Sequence, residues 1–329
     1  MSLCLRTSAQ SWPLSFHQTP GMTVEPELTN YLTAHRDSHI HVIDPQVFPM
    51  SEHRGYTPKP ATKQNASTYL STAGLAHAVI VLPSVYGTDN GVLIDSLKYF
   101  NGSARGVAVV DPENVSNETI TDLQAAGVRG LRVNFGNEGS DEEIIEAVQK
   151  NAALAKKNDW VLQLWIPLRT FVALHPIIPT LGVRIVADHF AHTEVGSRTN
   201  STLDTIDPYR RTGFLEVVDL VRRRLLWVKI SGPYQNSKAA PLYDDMRIVA
   251  QTLMLNGPEM VVYGSDWPHT AGKEGNAAAG GRLSPQNYRD INDPAIAELF
   301  MTWAGSQAQI QRLFVDNPRR LWQWEDPSS

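Results

Sequence analysis

The chain has 329 residues, 42% apolar and 19% charged, a balance that supports a large buried core and excludes a disordered or fibrous chain. A formal net charge of −5 leaves no basic field to gather counterion-release energy on nucleic acid or an anionic membrane, so small molecules are the expected partners. The lone cysteine, Cys4, excludes an internal disulfide and suits a reducing, cytoplasmic compartment.

Residues 1–36 carry Pro13, Pro20, Gly21 and Pro26 and lack an apolar run long enough for a signal core or a membrane span. They read as an N-terminal arm ahead of one domain over 37–329. From Asp37 onward, short β-branched runs alternate with stretches of helical period, the pattern of repeated βα units. Eight strands are expected, at Asp37–Ile43, His77–Leu82, Arg105–Val110, Val128–Phe135, Trp160–Ile166, Val183–Ala187, Leu226–Ser231 and Met260–Gly264. The helices between them are expected at Asp141–Lys157, Asp207–Arg224 and Ala240–Leu255 among others. The fold class is therefore α/β, a single-domain (β/α)₈ TIM barrel. The Gly- and Ala-rich segment Ala271–Leu283 follows the eighth strand and is expected as a mobile loop, a lid or a plain surface connection.

The chemistry gathers at strand ends. His39 and His41 lie two apart on the first strand, so the strand period points both to the same side. Such a pair can bind a metal or polarise a carbonyl, and on its own can equally be two packed core residues. Asp188 and His189 end the sixth strand, and Gly264-Ser265-Asp266-Trp267-Pro268-His269 ends the eighth. Three ionisable sets at the C-terminal rim, where barrel enzymes carry their reacting groups, favour a functional site.

Over about residues 37–322 the chain resembles the amidohydrolase superfamily, in its 2-pyrone-4,6-dicarboxylate lactonase-like branch. The resemblance rests on Asp37-Ser38-His39-Ile40-His41 with Tyr56, on Pro83-Ser84 through Asn90, and on Arg105 through Asp111. It continues through Gly127 to Asn134, Asp188-His189, Val228-Lys229-Ile230-Ser231-Gly232, the Asp266 motif and Asp316-Asn317-Pro318. It implies a hydrolase that opens a lactone or similar cyclic ester. Asp266 would take a proton from the attacking water while His39, His41 and His189 stabilise the oxyanion, a division of labour that the residue chemistry permits. The resemblance also implies substrate contacts from Arg132, Tyr56 and Ser84.

Where the lactonase branch carries a further Arg after Ser-Gly-x-Tyr, this chain has Tyr234 followed by Gln235. The substrate is expected to be less anionic than a pyrone dicarboxylate, since each charge-assisted bond contributes about 1.5–3 kcal/mol. Trp165, at the end of the fifth strand, adds an apolar wall for a larger ring. The two-metal pattern of the superfamily is broken, because the fifth strand has Gln163 and Trp165 and no histidine. No cofactor is expected, and the alternative is one divalent metal, zinc, on His39, His41 and Asp266. His269 reads as a group that orients Asp266, Asp188 as one that orients its neighbour, and Lys229 as facing either the barrel interior or a helix. His17, His35, His53, His77, His175 and His192 read as surface or core residues. The alternative reaction is a metal-dependent decarboxylation of an aromatic or unsaturated carboxylic acid. The sequence also allows a homo-oligomer.

Overall fold

Eight short, mostly buried runs pair in chain order: β1 Arg36–Ile40, β2 His77–Val81, β3 Ala104–Ala108, β4 Val128–Asn134, β5 Val161–Trp165, β6 Ile185–Ala187, β7 Trp227–Ser231 and β8 Val261–Gly264. Every pairing is parallel. Such a sheet has both faces covered, so β2, β6 and β8 read as near-continuous apolar runs, whereas β1, β4, β5 and β7 bury polar side chains, among them His39, Arg132, Gln163 and Lys229. The structure, a computed structural model, describes residues 35–198 and 207–324. Of the expected arm only His35 and Arg36 fall within this range, and Arg36 already opens β1.

The sheet closes on itself at a seam between β8 and β1, through a bridge between Ile40 and Trp267. Asp266 N–H donates to His39 C=O at 2.9 Å, and His41 N–H donates to Trp267 C=O at 2.8 Å. The Asp37 carboxylate crosses the same seam, accepting from the amides of His39 (2.9 Å) and Ser265 (3.0 Å). Closing the barrel thus brings the strand-eight carboxylate beside the two strand-one imidazoles.

The helix Asp141–Lys157 has its expected bounds, because Ser140 and Glu143 form a reciprocal capping box at its start. Two other helices are shorter than expected. Asp207–Arg224 becomes a turn at Pro208–Arg210 and a helix at Phe214–Arg222, since Gly213 has φ +98° and packs so tightly that a Cβ there would lie 2.0 Å from Leu168 O. In Ala240–Leu255 the helix starts only at Arg247, because Pro241 lacks an amide donor and Tyr243 is left-handed with φ 56°. The segment Ala271–Leu283 holds a turn at Gly272–Gly275 and a helical turn at Asn276–Ala279. It is anchored rather than free: Lys273 meets Glu138 at 2.5 Å, Glu274 meets Arg198 (2.8 Å) and Arg289 (3.1 Å), and Asn276 donates to Gly55 O at 2.9 Å. Among the described residues no helix is long and apolar enough to cross a membrane.

Candidate active site

Four buried side chains converge at the seam. Asp266 Oδ1 lies 3.5 Å from His41 Nε2 and 3.6 Å from His39 Nε2, and Asp266 Oδ2 lies 3.9 Å from His189 Nε2. The His39 ring is 4.7 Å from that of His189, and its Nε2 is 3.3 Å from His41 Nε2. These are the four residues the sequence singles out for catalysis.

Local backbone strain helps to place them. From His189 through His192 four consecutive L-residues are left-handed, with φ of 46°, 56°, 53° and 58°. That conformation costs roughly 1–2 kcal/mol per residue, and such outliers persist where the surroundings over-determine them. Here the turn is fully buried, and Asn236 donates to His189 O at 2.7 Å. Asp266 is left-handed as well, with φ 67°. Gly232, at φ +49°, leaves the needed space, because a Cβ there would lie 2.9 Å from both Asp266 Oδ2 and His189 Nδ1.

Each ring is held through its other nitrogen, the usual device for fixing a histidine's orientation. His41 Nδ1 donates to Val81 O at 2.7 Å, and His189 Nδ1 meets Ser231 Oγ at 2.9 Å. Tyr234 O–H donates to Asp266 Oδ2 at 2.8 Å, and Gln235 Nε2 donates to the same oxygen at 3.1 Å. Oδ2 is therefore well supplied with donors, while Oδ1 faces His39 and His41. His269 does not reach the Asp266 carboxylate by itself. Its Nδ1 meets the Tyr234 hydroxyl at 3.1 Å and its Nε2 meets Asp293 at 2.9 Å, so its effect on Asp266 passes through Tyr234.

Below this quartet lies a polar layer. Asp188 does not orient His189. Its Oδ2 accepts from Gln163 at 2.8 Å and lies 3.4 Å from Arg132 Nη2, and its Oδ1 lies 3.2 Å from Lys229 Nζ and 3.4 Å from His39 Nδ1. Lys229 points inward and is fully buried. The sequence assigns Gln163 no role and leaves Lys229 open between the barrel interior and a helix; both lie in this polar layer beneath the candidate site. The signal was present, since each stands two positions before a strand-end residue, Trp165 or Ser231, and so shares its face.

Electrostatics follow from burial and these contacts. Burial alone would raise Asp266, but the facing imidazoles of His189, His41 and His39 outweigh it and hold the carboxyl well below the usual range. Burial, aided by the Lys229 ammonium, holds His39 well below its ordinary value, and burial lowers His189. The layer beneath is set likewise: burial would raise Asp188, yet Lys229, His39 and Arg132 keep it well below its ordinary value. Burial brings Lys229 down to about 8 against the opposing pull of Asp188. At neutral pH the site thus offers an ionised Asp266 beside neutral His39 and His189.

The remaining residues lie around this core. Trp165 is half-buried, its ring edge-on to His189 at 4.7 Å and stacked on His192 at 4.1 Å. Arg132 is buried in the layer with Asp188, and its Nε finds no hydrogen-bond partner among the described residues. Tyr56 is half-buried on the loop after β1, and Ser84 is exposed on the turn after β2. His175 has a partner that the sequence did not reveal, Asp219 at 2.7 Å on the flank of the barrel.

One nitrogen each from His39 and His189 and a carboxylate oxygen of Asp266 lie within 4.8 Å of one another, a donor set that suits a single divalent ion such as zinc. His41 Nε2 is close enough to His39 and Asp266 to join that set.

A parallel eight-stranded barrel with a His-x-His pair, a strand-six histidine and a strand-eight aspartate at its C-terminal rim defines a barrel hydrolase. The amidohydrolase family model matches residues 36–324, and the chain belongs to this family. It is 28% identical over 291 residues to the 4-sulfomuconolactone hydrolase of Hydrogenophaga intermedia, covering 87% of each chain. It is 27% identical to the 2-pyrone-4,6-dicarboxylate hydrolase of Comamonas testosteroni, over 87% of this chain and 89% of the other. A crystal structure described as a putative 2-pyrone-4,6-dicarboxylic acid hydrolase from Pseudomonas putida superposes with a TM-score of 0.68 at 25% identity, covering 88% of this chain and 98% of that one. The protein is an enzyme of the kind that hydrolyses cyclic ester bonds.

Proposed function

We propose that the enzyme opens a lactone by adding water to its acyl carbon, with Asp266 as the general base. The observation that carries this reading is the asymmetry of the Asp266 carboxylate. Tyr234 and Gln235 supply donors to Oδ2, whereas Oδ1 faces the two strand-one imidazoles at 3.5 and 3.6 Å. Those gaps exceed a direct hydrogen bond and leave Oδ1 to take a proton from water. As the water oxygen bonds to the acyl carbon, the carbonyl electron pair moves onto oxygen, where imidazole N–H groups stabilise it. Collapse of the tetrahedral intermediate expels the ring oxygen, which takes a proton, yielding a hydroxy acid or its enol equivalent.

The substrate would be less anionic than a pyrone dicarboxylate. Gln235 stands where the resembling lactonases carry an arginine, and it spends its amide on Asp266 rather than offering a charge. Arg132 would meet one acidic group, and Trp165, Tyr56 and Ser84 would border the ring. Where a divalent ion is bound, His39, His189 and Asp266 would hold it, and it would supply Lewis-acid polarisation of the acyl oxygen. The same donor set is what favours the second reading, a metal-dependent decarboxylation of an unsaturated acid.

A panel of lactones graded by charge, followed by acid release with and without chelator, tests the proposal. Hydrolysis of mono-anionic or neutral lactones that survives chelation is expected. Carbon dioxide release that chelator abolishes, without lactone hydrolysis, would establish the second reading instead.

A further inference from the structure

The polar layer under the quartet contains a lysine that no step above employs. Lys229 Nζ lies 2.7 Å from Gln163 Oε1, 3.2 Å from His39 Nδ1 and 3.2 Å from Asp188 Oδ1, with the Trp322 ring centroid 5.2 Å away. An ammonium has three protons to give and no lone pair, so its hydrogen-bond neighbours have to accept. That requirement makes His39 Nδ1 a bare lone pair.

The opposite end of the chain of contacts leads to the same assignment. Val81 O can only accept, so His41 Nδ1, 2.7 Å from that oxygen, carries a proton, and in the single-proton ring this leaves His41 Nε2 bare. His39 Nε2 lies 3.3 Å from His41 Nε2 and has to carry a proton, because two facing lone pairs would repel. The reverse tautomer would direct His39 Nδ1–H toward Asp188 Oδ1 at 3.4 Å. It would also aim the proton of Nδ1 at the protons of Lys229, and it becomes favourable only when a cation takes the lone pairs on the two Nε2 atoms.

We propose that Lys229 is a positioning residue for His39: by donating to Nδ1 it keeps the ring proton on Nε2, facing the oxyanion, and sets that nitrogen against a divalent cation. The use made of the proton rests on the hydrolytic reading, whereas its location does not.

The test is nitrogen NMR of the full-length protein with ¹⁵N-labelled histidines, recorded as purified and after chelation, with His39 signals identified by their loss in His39→Gln. The expected result for the chelated wild type is a protonated Nε2 and a bare Nδ1. In Lys229→Met, which keeps the chain volume and loses the donor, the tautomer should reverse. The same variant should bind zinc about tenfold more tightly by calorimetry, as second-layer changes typically shift affinity by 10–100-fold. Its kcat should fall about tenfold or more with KM within about twofold, the mark of an interaction made in the transition state. A bare Nε2 in the chelated wild type overturns the proposal without recourse to any variant, and so does an unchanged tautomer in a folded Lys229→Met. If the tautomers behave as expected while the wild type hydrolyses no lactone, the hydrolytic reading fails and the assignment of Lys229 to His39 stands.

Discussion

Histidines are buried or half-buried at both ends of the barrel, in different company. At the N-terminal end His35 packs on Phe314 at 5.3 Å and His77 packs on Trp324 at 5.3 Å, with Arg36 and Arg105 over the same Trp324 ring. At the C-terminal end His39, His41 and His189 surround a carboxylate, above a layer that holds a buried lysine and a second carboxylate. Burial depresses His35 and His77 to about 4 and also lowers His39 and His189, so neutral imidazoles are found at both ends at neutral pH. What separates the ends is convergence on Asp266, together with the strained backbone that achieves it. The N-terminal end also has a hollow of about 300 Å³, lined in part by Trp160, Arg184, Arg224 and Trp227. Its two arginines are already paired, Arg184 with Asp159 at 2.7 Å and Arg224 with Glu259 at 2.8 Å. Concavity and buried imidazoles do not by themselves make a site.

Substitutions at the two ends should therefore differ in kind. The largest effect is expected from Asp266→Asn, which keeps the shape of the side chain and removes its basicity. A loss in kcat of roughly 10²–10⁴-fold with KM largely retained should appear in steady-state hydrolysis, as for removal of a general base. Next comes Gly232→Ala, whose methyl would press on Asp266 and His189 at 2.9 Å. It should lower kcat by about 10²-fold, since a 1 Å misplacement can cost that much. Thermal unfolding of the same variant should register about 1–2 kcal/mol from the left-handed backbone.

A smaller, substrate-dependent effect is expected at Arg132. Arg132→Met should raise KM for acidic lactones about tenfold or more, in line with a lost charge-assisted bond of about 1.5–3 kcal/mol, and leave neutral lactones nearly unaffected. Equal effects on both classes would show that Arg132 serves only to brace Asp188.

The smallest effect on catalysis belongs to the other end, where His77→Phe should leave kcat/KM unchanged. Its consequence lies in acid stability. The folded-state pKa of His77 is depressed to about 4 by burial and by Arg36. Between the ordinary histidine value near 6.5 and about 4 the unfolded chain binds more protons, so stability is full above that window and falls as pH drops through it. Denaturation midpoints measured at pH 7 and pH 5 should draw closer together in His77→Phe than in the wild type.

Much of this architecture could be read in the sequence, for physical reasons that particular residues show. The His39/His41 spacing, Asp188-His189 and the Asp266 motif mark strand ends because a parallel barrel delivers such residues to one rim. Asp141–Lys157 was legible because its cap is local. The helices starting at Phe214 and Arg247 look longer in the sequence than they are, since their true starts depend on Gly213 packing against Leu168 and on the backbone around Pro241 and Tyr243. The face that Lys229 takes is not legible locally, because a lysine inside a barrel is stable only with partners from β1, β5 and the end of β6, which lie far away in sequence. The bridging of His269 to Asp266 through Tyr234 and the pinning of Glu274 by Arg198 and Arg289 are likewise long-range contacts that no local pattern announces.

The proposed mechanism requires Asp266 to act on water rather than on the acyl carbon. A single turnover in ¹⁸O-labelled water, with enzyme in excess over lactone, tests this directly by mass spectrometry of the product and of the peptide containing Asp266. The label is expected in the new carboxylate of the product, with none in the peptide. Label in the Asp266 carboxylate would mean that this side chain had itself attacked the acyl carbon, and would contradict the mechanism.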